Sequence, residues 1–178
     1  MISDGKIYLR APEPDDVDAI FRWENERSSW SSAGVRAPMS RHLIWKYVEE
    51  NTASLSADGQ ARFIICLHET HMPVGAIDLY DADIINRRCG VGIVIDEAFR
   101  GLGYGERALS LLADYAWRDL GFHQIWATVS AENTASRALF SECGFTISGR
   151  LRSWIRQGDS FTDAFIYQLL LPAATTPC

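Results

Sequence analysis

The chain has 178 residues, 47% of them apolar, which fits a single domain with one packed core. Its formal net charge of −6 argues against a nucleic-acid partner, which requires a basic surface, and is compatible with a cationic substrate. No apolar run is long enough to span a bilayer, and the N-terminal stretch lacks the basic start and apolar core of a secretory signal.

The first half of the chain predicts one strand, two helices and three further strands. Residues 5–11 alternate between apolar and polar side chains, as in a half-buried strand. Pro14 with two aspartates begins a first helix, and Ser40 caps a second helix over 40–51. Strands are then predicted over 61–69, 72–83 and 89–96.

The second half predicts a long helix, a strand, a short helix and a hairpin. The long helix is predicted over Gly103 to Leu120, the strand over 123–130 and the short helix over Asn133 to Gly144. The two strands of the hairpin turn near 157–159. The order of elements predicts a single α/β domain over 1–172, in α+β layers, with a mixed and mostly antiparallel twisted sheet between helices. We expect residues 173–178 to be a flexible tail.

Glycines stand at alternate positions, Gly101, Gly103 and Gly105, between an apolar strand and the long helix. Glycine permits φ values that other residues resist, and the first amides of a helix have no partner inside it. These features predict either a phosphate-binding site with Arg100 at its rim or a tight glycine-rich connection that binds no ligand. It is not a Walker loop, which needs Gly-Lys-Ser/Thr, nor a dinucleotide loop, which needs a glycine where Glu106 stands.

The segment from Arg100 to Gly105 resembles the acyl-CoA signature of the GNAT superfamily of N-acyltransferases. Residues 133–145 resemble the family's second signature, an Asn-x-x-Ser/Ala segment that ends in Gly-Phe. Residues 149–170 are similar to the branch that holds the polyamine acetyltransferases and the RimJ/RimL-type protein N-terminal acetyltransferases. This resemblance implies a GNAT fold, with a V-shaped splay between the strands near 91–96 and 123–130.

The resemblance also implies where acetyl-CoA, the expected cosubstrate, is bound. Its pantetheine arm would pair with strand main chain, a backbone amide there would hold the oxyanion, and its pyrophosphate would lie on the helix amides. Asn133 would bond the pantetheine or cap its helix. The implied cofactor-binding residues are Ile93, Val94, Ile95, Arg100, Gly101, Leu102, Gly103, Tyr104, Gly105, Glu106, Asn133, Ser136 and Phe140.

The expected reaction is direct attack of a neutral amine on the thioester, after which the departing thiolate takes up a proton. Polyamine acetyltransferases of this branch carry a tyrosine as the acid where this chain has Phe140, which cannot donate a proton. RimL-type relatives suggest a serine three residues after the asparagine, which makes Ser136 the catalytic candidate. The same serine fits an ordinary place in the first turn of a helix.

The general base and the acceptor site remain open at the level of sequence. Relatives place a glutamate in the strand after Gly-Arg-Leu-Arg, where this chain has no carboxylate, and often another where Gly90 stands. We expect Glu24, Trp30 and Asp78 to bind substrate, the tryptophan through a cation–π contact with an amine. Other carboxylates that would line an acceptor cleft are Glu26, Asp81 and Asp83.

Two functions follow from this pattern. The first is an acetyl-CoA-dependent N-acetyltransferase that acts on a primary amine, either a small amine such as a polyamine or a protein N-terminus. The alternative is a catalytically weak acyl-CoA-binding sensor or structural relative. Four scattered cysteines without a CxxC pair predict free thiols and a cytoplasmic protein. We further expect a homodimer, with no metal and no contact with nucleic acid or membrane.

Overall fold

The computed structural model describes residues 2–26, 37–50, 55 and 59–171. Within them, one 8-stranded sheet has the order β1-β2-β3-β4-β5-β6-β8-β7. The strands are β1 (Ile2–Ser3), β2 (Ile7–Arg10), β3 (Ala61–Leu67), β4 (Pro73–Asp83), β5 (Arg88–Ile95), β6 (Gln124–Ser130), β7 (Thr146–Gln157) and β8 (Ser160–Leu170). The helices are α1 (Val17–Glu24), α2 (Arg41–Glu50), α3 (Tyr104–Arg118) and α4 (Thr134–Glu142), with 3₁₀ turns at Pro14–Asp16 and Glu97–Phe99. The predicted tail over 173–178 lies outside the described residues.

The predicted mixed α/β architecture is confirmed, and the observed elements follow the predicted order with one addition. Strand β1 pairs antiparallel with β2, but its two residues are too few to produce a periodic pattern in the sequence. The cap predicted at Ser40 is present, because its hydroxyl oxygen accepts a hydrogen bond from the Leu43 amide at 3.1 Å. The hairpin turn also lies where predicted, between Gln157 and Ser160.

Helices cover both faces of the sheet. On one face, Ile20 and Trp23 of α1 and Ile44 of α2 pack against the buried strand residues Ile64 and Ala76. On the other face, α3 and α4 pack in the main core, whose members include Leu109, Leu112, Phe140, Ile77, Val91 and Ile125. Because both faces are buried, β5 needs the nearly continuous apolar run that its sequence shows.

The sheet opens between its two parallel neighbours, β5 and β6. Their pairing runs from Arg88↔Gln124 to Gly90↔Trp126 and stops there. Strand β4 nevertheless follows β5 to Ile95, and β8 follows β6 to Ser130. The V-shaped splay that the resemblance implied is therefore present, and we call this opening, between 91–95 and 127–130, the strand split.

Gly75 allows β4 to approach β5 along one edge of the strand split. A Cβ atom at this position would lie 2.3 Å from the Val94 carbonyl oxygen and 3.1 Å from the Ile95 Cα. Because both are main-chain atoms, Gly75→Ala is expected to lower the free energy of unfolding by about 1–3 kcal/mol, as measured by equilibrium denaturation. Gly149→Ala is the matched control, since its Cβ would meet Ile166 at an ordinary 3.5 Å. Equal losses in the two variants would contradict this account.

Candidate active site

Main-chain groups of β5 line one wall of the strand split. The Asp96 amide donates to the Val74 carbonyl of β4 at 2.9 Å. Because the main-chain N–H and C=O groups of successive residues point to opposite sides of a strand, the main-chain groups of Val94 also point toward β4. The short distance between the Val94 oxygen and a Cβ on Gly75 shows the same orientation. Of the three residues predicted to pair with a pantetheine arm, Ile93 and Ile95 therefore direct their main chain into the split, whereas Val94 directs its main chain to β4.

The open end of the strand split meets the N-terminus of α3. Gly103 is the N-cap residue and has φ +80°, a left-handed conformation that favours glycine. The Arg107 amide donates to the Gly103 carbonyl, but the amides of Tyr104, Gly105 and Glu106 have no acceptor among the described residues. Three unpaired amides at the positive end of a helix dipole can bind an anion such as phosphate.

Arg100 lies at the mouth of the split and is held there by two contacts. Its Nε donates to the Ile95 carbonyl at 3.0 Å, and its terminal nitrogen donates to the Glu26 carboxylate at 2.9 Å. The guanidinium predicted at the rim of the phosphate site is therefore shared with a carboxylate of the segment that follows α1. A second link joins α1 to this region, since Trp23 Nε1 donates to Asp96 at 2.9 Å and thereby lowers the pKa of that carboxyl group.

Helix α4 contains the residues of the second sequence signature. The Asn133 side-chain oxygen accepts a hydrogen bond from the Ser136 amide at 3.0 Å, so Asn133 caps this helix. Ser136 is half-buried in the first turn. Phe140 is only 3% exposed, and its ring packs against Phe145 and Tyr167 at centroid distances of 5.0 and 5.9 Å. Phe140 is therefore a core residue in this structure.

The two described acceptor-site candidates, Glu24 and Asp78, are joined by Arg62. The Arg62 guanidinium donates twice to Asp78, at 2.6 and 3.0 Å, and once to Glu24 at 2.7 Å. Burial acts to lower the pKa of Arg62, but the two carboxylates outweigh it and raise that pKa. The Tyr47 ring of α2 lies 5.5 Å from the guanidinium carbon. We call Glu24, Arg62 and Asp78 the charged triad.

An aromatic corner formed by Tyr80 and Trp126 lies at the closed end of the split. The Tyr80 ring covers Gly90, where a Cβ would lie 2.4 Å from a ring carbon, and extends to within 3.8 Å of the Cβ position of Gly92. Trp126 packs edge-to-face against it at 5.3 Å. Burial raises the pKa of Tyr80 to about 12, helped by the neighbouring carboxylates of Asp81 and Asp78, so its hydroxyl is protonated at neutral pH.

The charged triad and the aromatic corner lie on the same face of the sheet. Asp78 and Tyr80 are two residues apart on β4, and Arg62 is the cross-strand partner of Asp78. An Asp78 carboxylate oxygen lies 4.0 Å from the Cβ position of Gly92 on β5. Both groups therefore border the strand split from the α1 and α2 side, while the free amides of α3 stand at its open end.

Trp30, the third predicted acceptor residue, lies outside the described residues. Within the described part of the chain, no His, Cys, Asp and Glu side chains group to hold a metal ion. The helices of that same part include none with the length and apolar character that crossing a membrane requires.

Four residues of this site were not identified from the sequence: Tyr47, Arg62, Tyr80 and Trp126. Two signals in the sequence point to these residues: the charged Arg62 at the start of an apolar strand, and the glycine at position 90 inside another strand. Neither signal identifies the cross-strand partner, because that depends on the register of the sheet.

A family model described as Acetyltransferase (GNAT) domain matches residues 6–146, which is most of the chain. The protein belongs to the GNAT acetyltransferase family. It is an acetyl-CoA-dependent N-acetyltransferase.

Relatives of this GNAT acetyltransferase cover most of its length. The SPbeta prophage-derived uncharacterized N-acetyltransferase YokL of Bacillus subtilis is 26% identical over 161 residues, which span 90% of this chain and 88% of YokL. Spermidine N(1)-acetyltransferase of Vibrio cholerae is 25% identical over 152 residues, 83% of each chain. A crystal structure of spermidine N-acetyltransferase from Vibrio cholerae in complex with CoA and spermine has the same fold, with a TM-score of 0.84 at 23% identity, over 94% of this chain and 97% of the other.

Proposed function

We propose that this acetyltransferase acts on a small primary amine, polyamines included, or on the N-terminal amine of a protein. The observation that carries the proposal is the acidic Asp78 beside β5, at the border of the strand split and on the face opposite α3. An amine approaching from the α1 and α2 side would meet this carboxylate and the aromatic corner before the thioester. The spermine bound in the Vibrio cholerae structure supports an amine acceptor in this fold.

The strand split and the α3 amides would hold acetyl-CoA from two sides. The amides of Tyr104, Gly105 and Glu106 would bind the pyrophosphate, and the main chain of Ile93 and the Ile95 amide would pair with the pantetheine arm. An arm that pairs with β5 from its open end runs back along the strand, at about 3.3 Å per residue, toward the region of Gly90. The thioester would thus lie near the aromatic corner and Asp78.

The chemistry needs a route for two protons. An alkylamine has a pKa of about 10, so it must lose a proton before it attacks the thioester. We assign this proton to Asp78, directly or through a water molecule, because its carboxylate lies beside β5 at the split. The nitrogen loses its second proton after the attack, and the departing thiolate takes one up. Ser136 in the first turn of α4 is the proposed donor to the sulfur, and the second proton from the nitrogen restores its hydroxyl through water.

Replacing Ser136 with alanine tests the proposed donor. Loss of the hydroxyl is expected to lower kcat by about 100-fold, the lower end of what a positioned acid contributes. The dissociation constant of CoA should stay within about twofold, because the cap uses the main-chain amide of Ser136 and not its hydroxyl. Ser141→Ala on the same helix is the control. An unchanged kcat in Ser136→Ala would remove this residue from the mechanism.

Thiol release from acetyl-CoA, measured against a panel of acceptors, tests the proposed function. The panel holds spermidine, spermine, 1,4-diaminobutane, n-butylamine, single amino acids, aminoglycosides and short peptides with free N-termini. Turnover with one class identifies the acceptor. CoA binding without turnover on any of them would contradict the proposal and favour a catalytically weak acyl-CoA sensor.

We further propose that the protein is a cytoplasmic homodimer. Cys66, Cys89 and Cys143 are free thiols in the structure, which suits a reducing compartment. The β7–β8 hairpin at the edge of the sheet exposes Trp154 and Phe161 at 61% and 60%, and a second subunit would cover such side chains. Sedimentation velocity at micromolar concentration should give about twice the mass of one chain.

A further inference from the structure

Arg62 is a cation held between two carboxylates on the α1 and α2 side of the sheet. Its guanidinium stands between Asp78, which borders the strand split, and Glu24 of α1, and each carboxylate accepts at least one short hydrogen bond from it. The three side chains are only 17–26% exposed, so these charges interact more strongly than they would in water. The acceptor side of the split therefore contains a built-in cation.

We infer that Arg62 determines acceptor selectivity, because it takes the place of a second substrate ammonium and restricts the acceptor to a single amino group. This inference rests on the proposed function and specifies its substrate class. A polyamine needs free carboxylates for the amino group that does not react. In this protein, the guanidinium neutralises one of the two carboxylate charges, so the charged triad keeps one net negative charge, which balances the reacting amino group alone. A second ammonium would find no further negative charge there and would be repelled by Arg62.

The aromatic corner favours the same kind of acceptor, an amine with a single amino group. Tyr80 and Trp126 offer ring faces and edges beside Gly90, where the thioester is expected to lie. Aromatic rings hold the carbon chain of a monoamine, or one ammonium before it loses its proton, but provide no carboxylate for a second charge. The preferred acceptor is therefore an amine with one amino group and an uncharged substituent. A small alkylamine and the N-terminus of a neutral peptide both meet this description.

A matched pair of acceptors tests the inference directly. n-Butylamine and 1,4-diaminobutane have the same carbon chain and differ by one amino group. A tripeptide amide with a free N-terminus and uncharged side chains tests whether the acceptor is a peptide N-terminus and not a small alkylamine. The wild-type protein should show a kcat/KM at least about 10-fold higher for n-butylamine than for 1,4-diaminobutane, a difference of about 1.4 kcal/mol. Arg62→Met, which removes the guanidinium from between the two carboxylates, should shift this ratio by about 10-fold or more toward the diamine.

Two further variants separate selectivity from folding. Arg10→Met breaks a comparable ion pair, which joins Arg10 at the end of β2 to Asp16 in the 3₁₀ turn before α1, and should leave the acceptor ratio unchanged. Arg62→Lys keeps the positive charge and should retain the preference for the monoamine, even if its stability falls. If Arg62→Met does not fold, the wild-type ratio and Arg62→Lys decide the question.

The failure of the inference differs from the failure of the proposed function. Wild-type preference for 1,4-diaminobutane, or a ratio that Arg62→Met leaves unmoved, would overturn the role of Arg62 while amine acetylation stands. Preference for n-butylamine or for the tripeptide amide would support the role of Arg62 and show whether the acceptor is a small alkylamine or a peptide N-terminus. If the wild-type protein acetylates no amine, the proposed function is wrong and the inference is overturned with it.

Discussion

Replacement of Gly103 by valine is expected to weaken CoA binding by at least about 100-fold while the protein stays folded. Gly103 has φ +80°, and an L-residue in this left-handed region costs about 1–2 kcal/mol, with more for a β-branched side chain. The strain would be relieved by rotating the loop, which would turn away the free amides of Tyr104, Gly105 and Glu106. Isothermal titration calorimetry with CoA measures the loss.

A second glycine provides the control for this prediction. Gly158 has φ +58° in the β7–β8 turn, and a Cβ at either Gly103 or Gly158 would meet nothing within 4 Å. Gly158→Val therefore carries a similar backbone strain without touching the α3 amides. Its CoA affinity should equal that of the wild type. If both variants bound CoA normally, the α3 N-terminus would not be the pyrophosphate site.

Asp78→Asn is expected to lower kcat/KM for the amine by about 100-fold and to leave CoA affinity unchanged. The substitution keeps the size of the side chain but removes the charge that accepts a proton, and general bases contribute about this much. It also replaces one of the two oxygens that face Arg62 with a hydrogen-bond donor, which disturbs the charged triad. Steady-state kinetics with the best acceptor, together with calorimetry for CoA, separates the two effects.

Asp83→Asn is the matched control for Asp78→Asn. Asp83 lies on the same strand and also pairs with an arginine, Arg88, where β5 begins and is still paired with β6. Its removal should leave kcat/KM within about twofold of the wild-type value. A similar loss in both variants would show that the effect of Asp78 comes from β4 stability and not from its place at the split.

Local features of the fold followed from local features of the chain. The apolar run before Gly101, the glycines themselves and the helical period after them identified the passage from β5 to α3. Caps at Ser40 and Asn133 lie where the residue types predicted them, since capping depends on a side chain and amides only three residues away. Element order and helix ends therefore required no knowledge of distant contacts.

The acceptor side could be predicted only in part. Glu24 and Asp78 were identified as candidates by charge alone, but nothing in their spacing indicated that Arg62 binds both. Likewise, the sequence gives no reason for glycine at position 90, where relatives often have a glutamate, whereas in the structure the Tyr80 ring occupies the space of a side chain there. These partners belong to different strands and helices, so their contacts depend on sheet register and helix packing.

The sequence by itself determined the family, the glycine turn that leads into α3 and the order of elements other than β1, because each rests on residues adjacent in the chain. Only the tertiary structure decided which β5 groups face the split, since Ile93 and Val94 differ by one residue yet point to opposite strands. It also decided that Phe140 is a core residue and that Arg62 holds the carboxylates of Glu24 and Asp78 together. Such assignments depend on long-range packing, in which a shift of a single residue moves a side chain to the other face of the sheet.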